Sequence, residues 1–163
     1  ELIRLLPGLG INLVKQGDAP RGVLLKEFLS NDPAVLLGTD SFWEGVDVPG
    51  EALSCVVIAR LPFRVPSEPV TSARIAEIER QGRNSFREYM LPQAVIKFKQ
   101  GFGRLIRSKT DRGVVIICDP RAISKSYGQQ FLRSLPKCSV LAAKRSRTLE
   151  AIQQWFDRTP SGV

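Results

Sequence analysis

Ala34-Val35-Leu36-Leu37-Gly38-Thr39-Asp40-Ser41-Phe42-Trp43-Glu44-Gly45-Val46-Asp47-Val48-Pro49-Gly50 is the stretch whose reading decides the fold. Its first residues are a short apolar run bounded by turn residues. A parallel strand covered on both faces has this form, because neither face can afford alternation with polar side chains. The chain then breaks into small and polar residues at the strand's carboxyl end, where open α/β sheets bind their ligands. Thr39 and Asp40 sit there, with Gly45, which admits close backbone approach, and Asp47, a carboxylate able to accept from hydroxyls. Trp43 either stacks on a partner or braces the loop. A well-ordered loop in which Asp40 and Asp47 cap turns is the plainer alternative.

Outward from this stretch, the pattern alternates between strands and helices. Strands are expected at 11–15, 35–37, 54–59 and 114–118, with a short one near Val140. Helices are expected at 19–29, with Leu24, Leu25, Phe28 and Leu29 on the apolar face, and at 67–81, 92–107, 124–133 and 147–156. Pro92 suits a first helical turn. Strands alternating with helices predict an α/β fold, a parallel sheet with helices on both faces. The long departure from alternation is 60–107, which reads as helical with breaks. A chain of 163 residues suits one domain with a real core and is short for two.

A second segment carries chemistry: Gln100-Gly101-Phe102-Gly103-Arg104-Leu105-Ile106-Arg107. On a helix, positions 100, 103, 104 and 107 share one stripe. Two guanidinium forks at a fixed interval suit a phosphate whose charge changes during reaction. Each glycine costs roughly 1 kcal/mol of helix propensity, so Gly101 and Gly103 ask for a reason, and removal of side-chain bulk from the stripe supplies one. The alternative is a surface helix whose basic residues merely answer the helix dipole.

Together the two segments resemble a known family. Gly38-Thr39-Asp40 followed by Glu44 to Pro49 is similar to motif V of superfamily 2 helicases, and Gln100 to Arg107 to their motif VI. The variant Ser41-Phe42-Trp43-Glu44-Gly45-Val46-Asp47 is similar to the DinG branch, relatives of XPD, as are the segments 59–63, 91–95 and 111–121. The resemblance spans about 11–136 and implies a RecA-like second motor domain of the P-loop NTPase type, occupying 1–163 with its front edge truncated, in which 60–107 is a helical elaboration.

It also implies roles. Arg104 and Arg107 would approach the γ-phosphate of ATP, Arg107 as the finger, and Gln100 would bridge to the attacking water. Gly45, Asp47 and Gly103 would line the nucleotide. Thr39, with Asp40 and Ser41 beside it, would contact single-stranded DNA. Arg60 and Arg64, which flank Leu61-Pro62-Phe63, either track the DNA backbone or are solvated, and Lys144 to Arg147 reads as a solvated turn.

What is missing from the sequence limits the chemistry. There is no Gly-x-x-x-x-Gly-Lys-Ser/Thr loop and no acidic box for magnesium, so this chain cannot hold a complete ATPase site. ATP and Mg²⁺ would be gripped mainly by a first RecA-like domain of the same polypeptide. The family's iron–sulfur cluster, where present, would lie in that other half. An upstream exonuclease domain is a further possibility the resemblance carries. The three cysteines, 55, 118 and 138, form no zinc pattern, histidine is absent, and Cys55 and Cys118 read as small core residues. The composition is globular, 43% hydrophobic and 25% charged, and the net charge of +8 favours a polyanion partner. No leader or membrane span is visible, so a cytoplasmic protein of the bacterial cytosol is expected. The rival to a motor is a non-catalytic nucleic-acid or nucleotide binding module on the same fold; an intact Gln100, Arg104 and Arg107 set counts against it.

Overall fold

The computed structural model describes residues 6–39, 42, 53–105, 112–143 and 145–157. Strand β1 (Asn12–Lys15) and strand β2 (Ala34–Leu37) pair in parallel, Asn12 opposite Ala34 and Lys15 opposite Leu37. Helix α1 (Arg21–Ser30) connects them, as a parallel pair requires a crossover. Leu24 and Phe28, one helical turn apart, are buried on α1 and meet Val14 and Phe42 in one apolar cluster.

Strands β3 (Cys55–Ile58) and β4 (Val114–Ile117) form a second parallel pair, Cys55 opposite Val114 and Ile58 opposite Ile117. The connection holds helix α2 (Pro69–Arg80), a π-helical turn (Phe86–Met90) and helix α3 (Leu91–Leu105). Pro69 starts α2, where its missing N–H costs nothing. Gly82 ends it at φ 71°, a conformation that other residues resist, while the Arg83 N–H closes back on the Ile78 carbonyl at 3.2 Å. The Asn84 side chain then accepts from the Arg87 N–H at 2.8 Å and caps the next helical segment. On α3, Leu91, Ala94, Phe98, Gly101, Phe102 and Leu105 are buried at three- and four-residue steps, the period of one helix face. Ile58, Leu61, Leu91, Ala94 and Phe98 join Ala122 and Phe131 in the second apolar cluster. Helices α4 (Arg121–Ser124), α5 (Gly128–Arg133) and α6 (Arg145–Asp157) follow β4.

The α/β alternation with parallel strands is as the sequence predicts, and the helices at 67–81, 92–107 and 147–156 stand within two residues of expectation wherever residues are described. Several details differ. Among the described residues the strands form two separate pairs rather than one sheet, so each strand has a ladder partner on one side. That is why β2 and β4, expected to be fully buried, are half-buried throughout. Cys118, expected in the core, is exposed: it follows the last residue of β4, and its N–H still continues the ladder to the Ile58 carbonyl at 2.9 Å while its side chain faces solvent; Cys55 is half-buried. Leu29 lies off the buried face of α1 and is exposed. The helix expected at 124–133 is two short ones, α4 and α5, and a Cβ at Gly128 would collide with the Ala122 carbonyl. No strand forms near Val140, which is exposed. No helix among the described residues is long and apolar enough to cross a membrane.

Candidate nucleotide and nucleic-acid sites

At the carboxyl ends of β1 and β2 the chain is tied down by residues distant in sequence. Thr39 donates to Gln16 Oε1 twice, from its backbone N–H at 2.7 Å and from its hydroxyl at 3.1 Å. Gln16 directly follows β1, and its own N–H extends the ladder to the Leu37 carbonyl at 2.8 Å. Gly38 has no room for a side chain: a Cβ there would stand 3.0 Å from Phe42 Cβ. Phe42 turns back to donate to the Thr39 carbonyl at 2.9 Å. Arg21, the first residue of α1, donates to the Phe42 carbonyl at 2.9 Å and lies 5.2 Å from the centre of the Phe42 ring. Thr39 is therefore exposed on a pinned turn. A phosphate oxygen arriving there competes with Gln16 for the same two donors.

The second candidate region is the end of α3. Phe98, Phe102 and Leu105 hold the helix on its inner face, while Gln100 and Gly103 are exposed and Arg104 is half-buried. A Cβ at Gly103 would meet nothing within 4 Å, so this glycine leaves open space on the outer face. Gly101 is different: it is buried on the core side, which corrects the expectation that both glycines thin the same stripe. The structure thus brings Gln100, Gly103 and Arg104 together. Asp40, Ser41, Trp43, Gly45, Asp47 and Arg107 lie outside the described residues, as does Lys144.

A third constellation was not foreseen from the sequence. Asp119, past the carboxyl end of β4, is buried and accepts from the Leu61 N–H at 2.9 Å and from the Arg121 N–H at 3.0 Å. Arg121 closes on both carboxylate oxygens, with Nη2 at 2.6 Å and Nε at 3.0 Å. The Arg121 guanidinium and these two backbone donors hold the Asp119 carboxyl well below the usual carboxylate range, against the opposing effect of burial. Arg121 in turn lies 5.4 Å from the centre of the Phe63 ring. A single carboxylate thus ties the end of β4 to the turn after β3, where the Phe63 N–H donates to the Leu61 carbonyl at 2.8 Å across Pro62. Arg64, next along, is half-buried, and its Nε is buried without an acceptor among the described residues. A separation of 58 residues between Leu61 and Asp119 leaves no local signal of this tie.

Two further features bound the chemistry. Among the described residues no group of three or more His, Cys, Asp or Glu side chains could hold a metal ion. A cleft of about 740 Å³ lies between β4, the segment 135–143 and α6, lined by residues such as Val115, Leu135, Val140, Ile152 and Trp155. Its lining is mainly apolar and includes Phe102 of α3, whereas Thr39, Gln100, Gly103 and Arg104 do not line it.

Comparison with known proteins bears on both motif regions. The sequence model of the helicase C-terminal domain matches residues 3–138. An ATP-dependent DNA helicase YoaA of Haemophilus influenzae is 48% identical over 146 residues, 90% of this chain and 22% of that protein. The Escherichia coli helicase of the same description is 50% identical over 121 residues, 74% of this chain and 19% of that protein. A protein described as 3′-5′ exonuclease DinG of Bacillus subtilis is 45% identical over 142 residues, 86% of this chain and 15% of that protein. The chain thus spans about a fifth or less of the length of these relatives.

Proposed function

Because this chain belongs to the helicase C-terminal domain family, as a DinG-like member, we propose that it works as the second motor domain of an ATP-dependent DNA helicase. In this reading a first RecA-like domain of the same polypeptide grips ATP and magnesium. This chain supplies positive charge when the cleft between the domains closes, so that closure, strand binding and hydrolysis are coupled. The protein would act in the bacterial cytosol, on single-stranded DNA.

The observation that carries the reading is the outer face of α3. The helix is anchored by Phe98, Phe102 and Leu105, and it offers Gln100 and Arg104 around open space at Gly103. A helix that needed only to pack would gain from alanine at 103. A helix that must receive another domain's nucleotide gains from the gap. Arg107, one turn beyond Gly103 in sequence, is assigned as the finger on the γ-phosphate, with Arg104 beside it. Gln100 would orient the attacking water, and Gly45 and Asp47 would meet the nucleotide from the β2 side. Thr39, with Asp40 and Ser41, would hold a DNA phosphate once its N–H and hydroxyl are released from Gln16 Oε1, a contact that positions the strand without reading its bases.

The test is ATP turnover by the full-length helicase carrying this segment, with and without single-stranded DNA. Arg107→Ala is expected to keep ATP binding and to lose about 10³-fold or more of DNA-stimulated turnover, the scale of an arginine finger. Unchanged turnover would remove Arg107 from that role. Turnover absent from the wild type, with DNA still bound, would instead support a binding module. The Bacillus subtilis relative's description as an exonuclease makes nuclease activity of the full-length protein worth assaying in the same preparation.

A further inference from the structure

The turn after β3 and the π-helical segment meet in an aromatic group that the motor reading leaves unused. Phe63 and Phe86 stack with centroids 5.8 Å apart and planes 22° from parallel. Tyr127 packs edge-on against both, at 5.8 and 5.2 Å. Phe131, fully buried, backs Phe63 from the core side at 5.7 Å. Phe86, the outer member, stays 39% exposed. It begins the π-helical turn Phe86–Met90, a strained geometry that recurs at functional sites.

Around this group Asp119 is engaged by Arg121 and Glu88 by Arg83, while Glu79 accepts from the Ser85 hydroxyl at 2.7 Å beside Phe86. Arg60 and Lys125 are exposed. Arg64 follows Phe63 directly and is half-buried, and its Nε is buried without an acceptor among the described residues. Burying a guanidinium N–H that finds no acceptor opposes folding, so its place here is better explained by a ligand than by stability. All of this sits past the carboxyl ends of two parallel strands, the ligand side of such a pair. An exposed aromatic face next to an available guanidinium group is how proteins hold single strands without reading their sequence.

We propose that this surface is a second contact for single-stranded DNA, in which a base stacks on Phe86 and an adjoining phosphate is met by Arg64. Asp119 and Arg121 are positioning residues: they fix the Leu61–Phe63 turn and so set Phe63 and Arg64 relative to Phe86. The contact is separate from the one assigned to Thr39, and it rests on the reading of the protein as a DNA helicase.

The experiment compares two labelled strands of equal length, oligothymidylate and an abasic deoxyribose-phosphate chain, binding to the full-length helicase over a range of salt. Phe86→Leu, which keeps an apolar side chain against Phe63, is expected to weaken oligothymidylate binding roughly tenfold and to leave the abasic strand at its wild-type affinity. Arg64→Gln is expected to weaken both strands and to lower the slope of log affinity against log salt by about 0.7, one phosphate contact on a single strand; Arg64→Lys should restore that slope. A Phe86→Leu loss equal on both strands, or absent from both, would overturn the stacking contact. An unchanged salt slope in Arg64→Gln would overturn the phosphate contact. Wild-type protein that binds neither strand overturns the helicase reading and this site with it, whereas normal wild-type binding with unaffected variants overturns this site alone.

Discussion

A single carboxylate, Asp119, does more for the order of the second half than any exposed ion pair. It is buried, it takes two backbone N–H groups and a bidentate guanidinium, and it spans two strand ends. The Arg80–Glu77 pair, at 2.8 Å on the surface of α2, has comparable geometry but both side chains are exposed, where ion pairs contribute little. Asp119→Asn retains an acceptor but loses the charge, and hydrogen bonds to charged groups contribute about 1.5–3 kcal/mol. The expected cost at pH 7 is about 2 kcal/mol, seen as a lower urea midpoint. The sign of the pH dependence follows from the direction of the shift. Asp119 is held below its unfolded value, so its contribution is complete above about pH 4 and is lost as pH falls further below that. Wild type and variant should therefore converge in stability only in strong acid. A gap that stays constant down to that range would show that the carboxylate's charge is not what stabilises the turn.

At the scale of elements, α3 divides into a packed face and an open one. Its inner face was legible in the sequence from the steps between Leu91, Ala94, Phe98, Phe102 and Leu105, and its outer stripe from Gln100, Gly103 and Arg104. The four strands were legible because apolar runs such as Val114–Ile117 lie between turn signals, but their division into two pairs among the described residues was not. Positions decided by distant partners were not. Nothing near Gln16 announces that its side chain will hold Thr39, 23 residues on, and nothing near Arg121 announces Phe63. The split between α4 and α5 turned on the close approach of Gly128 to the Ala122 carbonyl, a packing fact with no local periodicity. Gly103 tests the division directly. Its Cβ would meet open space, so Gly103→Ala is expected to stabilise α3 by about 1 kcal/mol through helix propensity alone. If α3 receives the other domain's nucleotide as proposed, the same change should lower DNA-stimulated ATP turnover, since the methyl group would occupy the gap at that face. A variant both more stable and fully active would mean the gap has no such use.

For the molecule as a whole, the described residues gather around two apolar clusters, one built on β1, β2 and α1, the other on β3, β4 and α3. Each is organised by a parallel strand pair with its ladder partner on one side. Successive side chains of a strand point to opposite faces, which is why Val57 is exposed in the middle of β3 while its neighbour Ile58 is buried. The three cysteines sample this gradient. Cys118 and Cys138 are exposed, and Cys55, at the start of β3, is half-buried. Burial pushes the Cys55 thiol above its ordinary value, and the thiolate is the reactive form. A thiol reagent added to the native protein at neutral pH should modify Cys118 and Cys138 rapidly and Cys55 slowly, with Cys55 catching up in denaturant. Peptide mapping of the modified positions over time reads the order directly. Equal rates for all three in native buffer would mean that the β3–β4 pair opens freely, and the cluster formed by Ile58, Phe98 and Phe131 would then not be what holds these strands together.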